Sequence, residues 1–412
     1  MIETDFKESN IGLIPKDWKE KLLCEIGKFA KGKGISRAEA NTGVIPAVRY
    51  GELYTHHNDY IKSYNSHISQ EVANTSYKLS YGDILFTASG ETKEDIGKAV
   101  AFIDSIEAYA GGDIIILTPN TDIDSLFLGY YLNTKKVVRQ KSGKAQGDAV
   151  VHITTEAIAT LHIALPTKIE QHRIANALSS IDKLTSRLDS LIEKKKNIKK
   201  GTMQQLLSGK KRLKGFSEPW MFRRICELGS LQKGSICPFL YANDDFVEYS
   251  MPAFDNGQHA VVCKGASMSS ARTIIKGKVL LINKLNVRQR RIWLVDANNT
   301  NSVCSGEFLP FYSNECSLEY LKQLLLTDTI VKEWCDNSSG TSNSQKRITP
   351  SYMLSYKLYM PSDISEQMAI ANVLEKMDSE IHQLESRKQK FISIKQGMMQ
   401  QLLTGKIRLI NE

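Results

Sequence analysis

The stretch GTMQQLLSGKKRL at residues 201–213 returns as GMMQQLLTGKIRL at residues 397–409. Gly201 and Gly397 are 196 positions apart, and EQHRIANALSSID from Glu170 returns at the same offset as EQMAIANVLEKMD from Glu366. About forty residues are thus duplicated without a gap. Upstream the match thins but persists: IPKDW ending at Trp18 is answered by FSEPW ending at Trp220, and AKGKGI ending at Ile35 by LQKGSI ending at Ile236. A solenoid repeat runs to about 20 to 50 residues. The period here suits two domains of ordinary size, each followed by its own copy of a shared segment.

The shared segment has a helical period. In the first copy Ile174, Ala177, Ile181, Leu184, Leu188, Leu191 and Ile198 recur at spacings of three and four, with Lys195 on the same seam. The second copy shows Ile370, Val373, Leu374, Met377, Ile381, Leu384, Phe391 and Ile394, with Glu380 and Arg387 intruding. Pro166 and Pro361 stand before the two helices, and Gly209 and Gly405 are placed to close them in the left-handed conformation. Some forty helical residues make a rod of about 60 Å. A rod with one apolar stripe needs a partner, and its twin is the economical choice. Gly201 and Gly397 each cost about 1 kcal/mol relative to Ala and leave room for a kink. A core specifies a hydrophobic pattern but not the repeated polar residues, so a partner protein that meets both copies alike is expected to read them.

The segments before the rods are of another kind. Residues 1–165 contain the apolar runs YGDILFT (81–87), KAVAFID (98–104) and GGDIIILTP (111–119), then the helix-like SLFLGYYLNTKKVVRQ (125–140). Residues 215–360 follow the same order with IKGKVLLI (275–282), RRIWLVD (290–296), GEFLPFYS (306–313) and SLEYLKQLLLTDTIVKEWC (317–335). Both read as mixed α/β domains, with Trp18 and Trp220 as core anchors. A repeated frame with divergent contents suggests two recognition domains that read different things.

Composition removes several classes. At 42% hydrophobic residues the chain can build cores, yet no stretch reaches the ~20 apolar residues that span a membrane. The start, MIETDFKESN, shows no secretory signal, so the cytoplasm is the expected compartment. The seven cysteines include no C-x-x-C pair and six lie in the second half, against both a disulfide framework and a shared zinc site. GKFAKGKG from Gly27 fits G-x-x-x-x-G-K, but Gly34 stands where Ser or Thr must contact magnesium. The carboxylates form no nuclease cluster. Five of the eight histidines (His56, His57, His67, His152 and His162) lie in the first domain, where polar or surface positions are expected. The net charge of +9, from 54 basic and 45 acidic residues, concentrates at KGKGISR, EKKKNIKK, GKKRLK and NKLNVRQRR, as a phosphate-binding surface requires.

Taken together, the paired P…EQ…IA..L…D to MQQLL[ST]GK.RL segments, the IPKDW and SEPW openings, YGDIL (81–85) with KGKVLL (276–281), and SGKAQGDAVVHIT (142–154) with SGTSNSQKRIT (339–349) resemble the specificity subunit of type I restriction-modification systems. The resemblance covers essentially the whole chain. It implies an α+β architecture with a pseudo-two-fold internal repeat: target-recognition domains at 1–165 and 215–360, and spacer helices at 166–209 and 361–405 that pack as an antiparallel coiled coil. It implies a non-catalytic reader of a split, asymmetric site in double-stranded DNA. This reader recruits two methyltransferase subunits and, in the full enzyme, two restriction subunits. S-adenosylmethionine and ATP then belong to those partners and no cofactor to this chain; the Asn-Pro-Pro-aromatic tetrapeptide of adenine methyltransferases is missing from it. DNA contacts are expected from Lys31, Lys33 and Arg37 against Lys233, and from Lys141, Ser142, Gly143 and Lys144 against Ser339, Gly340, Lys346 and Arg347. Arg49 with Tyr50, and Lys284, Arg288, Arg290 and Arg291, are further candidates. Arginine suits guanine and lysine phosphate. The competing reading is a coiled-coil scaffold or adaptor that binds nucleic acid without sequence preference.

Overall fold

The computed structural model describes residues 5–147, 150–298, 301–340, 342 and 345–410. The backbone divides into two units, Met1–Leu188 with Arg387–Glu412, and Asp189–Ser386. The boundary cuts both long helices, so each unit owns the start of one and the end of the other.

Apolar strands that alternate with short turns build the same pair of sheets in each unit. In the first, Ile84–Thr87 lies between Ala99–Ala101 and Ile114–Pro119, and Gly27–Lys31 forms the far edge. In the second, Gly277–Asn283 lies between Ile292–Ala297 and Phe308–Tyr312, with Ser230–Leu231 at that edge. The companion sheets also agree. Ile45–Val48 pairs parallel with Tyr109–Ala110, as Asp245–Tyr249 does with Ser302–Ser305. Gly27–Lys31 is a ladder strand, Phe29 opposite Leu117. A Cβ on Gly27 would sit 2.3 Å from the Thr118 carbonyl oxygen, so this glycine serves strand packing and GKFAKGKG forms no phosphate loop.

The two long helices, Lys168–Leu206 and Ile364–Leu402, have 39 residues each and run unbroken through Gly201 and Gly397. Each closes on a left-handed glycine, Gly209 at φ +73° and Gly405 at φ +69°. These glycines also admit the tryptophans. A Cβ on Gly209 would lie 3.1 Å from the Trp220 ring, and one on Gly405 3.2 Å from that of Trp18. Trp18 is buried as expected; Trp220 is half-buried.

Each core is closed by both helices. Ile174, Ala175 and Leu178 from the start of the first helix join Leu402 and Leu403 from the end of the second. In the other unit Ile370, Ala371 and Leu374 join Leu206 and Leu207. Polar contacts repeat the arrangement at the 196-residue offset. Arg408 donates from Nε and Nη2 to the buried Glu170 carboxylate at 2.7 and 2.8 Å, and Arg212 grips the buried Glu366 at 2.9 and 2.5 Å. Lys395 pairs with Asp182 at 3.0 Å, and Lys199 with Asp378 at 2.5 Å. Gln171 Nε2 donates to the Pro166 carbonyl, and Gln367 Nε2 to that of Pro361, both at 2.9 Å, the prolines being 195 rather than 196 positions apart. In both units residue numbers rise along one helix as they fall along its partner, so the helices are antiparallel.

Two expectations need correction. The buried face of the first helix only partly follows the expected stripe: Ile174 is buried and Ala177, Ile181 and Leu188 are half-buried, but Ala175, Leu178, Asp182 and Ile192 are buried off the stripe, while Leu184, Leu191 and Ile198 on it are 40–46% exposed. The helix ends are claimed by the domain cores and the middle by ion pairs, so a stripe read from apolar residues alone overstates what the middle of the helix buries. Second, the repeated Glu170 and Glu366 and Arg212 and Arg408 are read within the chain itself, because each start motif meets the end motif of the other copy.

Removing one partner of a buried pair leaves an uncompensated charge. Arg408→Ala is expected to destabilise the fold by about 3 kcal/mol in denaturant unfolding, by stranding Glu170. Arg212→Ala acts in the same direction through Glu366.

Candidate nucleic-acid interface

The candidate residues fall on loops that the sheets and their flanking helices position. In the first unit the turn after Gly27–Lys31 is held by its backbone. Gly32 N donates to Ile114 O at 2.9 Å, and Gly34 O accepts from Gly112 N at 2.9 Å. Fixed in this way, the turn leaves Lys31, Lys33 and Arg37 exposed. From Gly112 the backbone bonds continue: Ala88 N donates to Asp113 O and Ile153 N to Ala88 O, at 2.9 and 3.0 Å. The turn is thereby tied to the strand pair Ser89–Gly90 and Val151–His152. Gly143 and Lys144 are exposed at the end of the helix Lys135–Lys144, and Ser142 Oγ donates to the Lys93 carbonyl at 2.5 Å. Arg49 is half-buried at the entry to the short helix Tyr50–Thr55, and Tyr50 is exposed.

Lys141 departs from expectation. Its side chain is 1% exposed, and its Nζ donates to the Gly97 carbonyl at 2.6 Å. Burial alone pushes its ammonium down to about 7. It supports a loop and does not face a phosphate.

In the second unit Lys233 is exposed in the matching turn. A small ladder brings several candidates together: Ile348 N donates to Lys284 O at 3.0 Å, Asn286 N to Lys346 O at 2.8 Å, and Arg347 N to Ser339 O at 2.8 Å. Ser339 and Gly340 are exposed beside it. Three arginines carry carboxylate partners. Arg290 pairs with Asp328 at 2.6 Å, Arg291 holds Asp255 through two bonds at 2.8 and 2.7 Å, and Arg347 meets Glu307 at 2.9 Å. The pairing holds the carboxyls of Asp255 and Asp328 below their ordinary range. To grip guanine, any of these arginines must exchange its carboxylate. Arg288, exposed, reaches Asn286 Oδ1 at 3.3 Å.

Sequence reasoning missed the segment Glu91–Gly97, whose residues Glu91 to Asp95 are exposed. The signal was available. This segment follows the central strand Ile84–Thr87 as Lys284–Arg291 follows Gly277–Asn283, but its mixed charge did not stand out as a basic cluster. His57 is buried, and burial pushes its imidazole down to about 4. His152 Nδ1 lies 3.0 Å from Ser89 Oγ. Among the described residues no group of histidines, cysteines and carboxylates is arranged to hold a metal ion, and no helix is long and apolar enough to cross a membrane.

Residues 15–200 match the family model described as the type I restriction modification DNA specificity domain. The chain is 24% identical to the type I restriction enzyme MjaVIII specificity subunit of Methanocaldococcus jannaschii, over 99% of this chain and 97% of that protein. It is 26% identical, with the same coverage, to the putative type I restriction enzyme MjaX specificity subunit of that organism. In fold it is similar to the crystal structure of the type I restriction-modification S subunit from M. genitalium, with a TM-score of 0.62 and 14% identity over 97% of this chain and 99% of that one. A chain from a study of complex assembly and conformational transition of the type I restriction-modification system gives a TM-score of 0.53 at 13% identity, over 96% and 99%.

Lys33→Ala and Lys233→Ala are expected to weaken DNA binding without changing base preference. Each should reduce the slope of log affinity against log salt by about 1, measured by fluorescence anisotropy across a salt series.

Proposed function

We propose that this chain, which belongs to the specificity-subunit family of type I restriction-modification systems, reads a split DNA site with its two domains and carries methyltransferase subunits on its long helices. The observation that carries this reading is the repeated closure. Two domains of the same topology, with different loops, are each sealed by the start of one helix and the end of the other. Equivalent frames with different contents suit two half-sites of different sequence, and helices of fixed length suit a fixed number of unread base pairs between them. In this role the chain performs no chemistry; methyl transfer, with S-adenosylmethionine, belongs to the docked subunits.

Residues repeated without an internal reason support docking. Gln204, Gln205, Gln400 and Gln401 are exposed. A Cβ on Gly201 or Gly397 would meet nothing within 4 Å, although glycine inside a helix costs stability. The positions Met203, Gln204, Leu207, Ser208 and Lys210 line a cleft of about 1180 Å³. Their equivalents Met399, Gln400, Leu403, Thr404 and Lys406 line one of about 670 Å³. Two such surfaces fit two copies of one partner.

Long-read methylation mapping of plasmid DNA from cells with this chain and its neighbouring methyltransferase should reveal a split motif with methyladenine on both strands, missing with the methyltransferase alone. Insertion of one or two base pairs into the spacer should abolish modification. Equal modification after insertion, or methylation with no defined sequence, would instead favour the scaffold reading. Gly201→Ala with Gly397→Ala should raise thermal stability, by up to about 1 kcal/mol per site, while weakening methyltransferase association in analytical ultracentrifugation.

A further inference from the structure

We propose that Lys141 is a positioning residue for base reading by the first domain: from beneath, it fixes the segment Glu91–Gly97, exposed from Glu91 to Asp95, in the place that Asn286–Arg291 occupies in the second. The inference rests on the DNA-reading function proposed above.

The lysine is poorly explained by stability. Its side chain is buried on the last turn of the helix Lys135–Lys144, and among the described residues its Nζ donates to a neutral carbonyl, that of Gly97. Among the described residues no carboxylate pairs with it, and a buried ammonium without one costs free energy that a methionine of similar length avoids. What the lysine does accomplish is to hold one end of a segment whose other features are also fixed. Gly97 lies at φ +66°, and a Cβ there would come within 3.0 Å of Lys141 Cδ. Ile96 is buried and anchors the segment from within. The neighbouring Ser142 holds the Lys93 carbonyl, and Thr92 Oγ1 donates to Asp95 Oδ2 at 2.8 Å while accepting from Asp95 N at 3.2 Å. The tip is thus shaped before any ligand arrives.

Its chemistry suits base edges. Glu91, Glu94 and Asp95 offer acceptors for the amino group of cytosine, and Lys93 can grip a phosphate. The second domain secures its equivalent segment from the opposite direction. There Arg290, at φ +51°, reaches from the segment to the carbonyl of Leu326 at 2.9 Å and to Asp328. A basic side chain ties segment to helix in both domains. In one it comes from the helix, in the other from the segment.

The test compares Lys141→Met and Ser142→Ala with the unaltered chain, each with the methyltransferase, by methylation mapping and thermal denaturation. Lys141→Met should melt at the same temperature or higher. It should also lose discrimination in one half-site by roughly tenfold at a mismatched base, with the other half-site and the spacer unchanged. Ser142→Ala, altered at the surface, should relax the same half-site to a smaller degree. Unchanged motifs in both variants would overturn the proposal. So would a lower melting temperature with both half-sites weakened together, since that pattern marks a structural lysine. A split motif that fails to form with the unaltered chain would overturn this inference and the function it rests on, an outcome distinct from either.

Discussion

The structure depends on a crossed closure. Arg408, near the end of the chain, binds Glu170 at the start of the first long helix, and Arg212 binds Glu366 at the start of the second. Both glutamates are buried, so each helix start is balanced only with the end of the other copy in place. The apolar part of the closure has the same logic: the first core lacks a wall without Leu402 and Leu403, the second without Leu206 and Leu207. Register is fixed along with identity. A residue inserted between Glu170 and Asp182 would slide one of them away from Arg408 or Lys395.

Much of this frame was legible in the sequence. The duplicated segments announced the two helices, their closing glycines and the pairing of one with its twin. The face they present was only partly legible, because periodicity counts apolar residues. At the middle of each helix the contacts are made by charges: Lys195 with Glu380, Lys199 with Asp378, and Lys395 with Asp182. Leu184, Leu191 and Ile198 satisfy the same period on a more exposed face. The meaning of the repeated polar residues was half legible. Glu170, Arg408 and their counterparts answer to one another, whereas Gln204, Gln205, Gln400 and Gln401 have exposed side chains and no such internal use.

The candidate interface was legible where charge clusters and obscure where it does not. Lys31, Lys33, Arg37 and Lys233 are exposed in turns, and a small ladder gathers Lys284, Ser339, Lys346 and Arg347. Lys141 shows the limit of that reasoning. Adjacent to Ser142 and Gly143 it reads as one more surface lysine; only the fold reveals that the last helical turn points it inward at Gly97. Arg290, Arg291 and Arg347 read as free cations in the sequence, yet each is balanced by an acid between 36 and 40 residues away along the chain, a separation that no local pattern reports.

The division between frame and loops has an energetic basis. Replacing a residue of the closure strands a buried charge, whereas exchange of an exposed loop residue usually shifts stability by no more than about 0.5 kcal/mol. Loops mounted on such a frame can therefore change what they read without unfolding what carries them. The two domains display that freedom within one chain. Their sheets share an order and their helices a sequence, but the segment after the central strand is acidic and held from below in one, basic and self-anchored in the other. A buried lysine that stability alone disfavours is the kind of residue such freedom produces: it is specific to the loop that it supports and independent of the closure that holds the domain together.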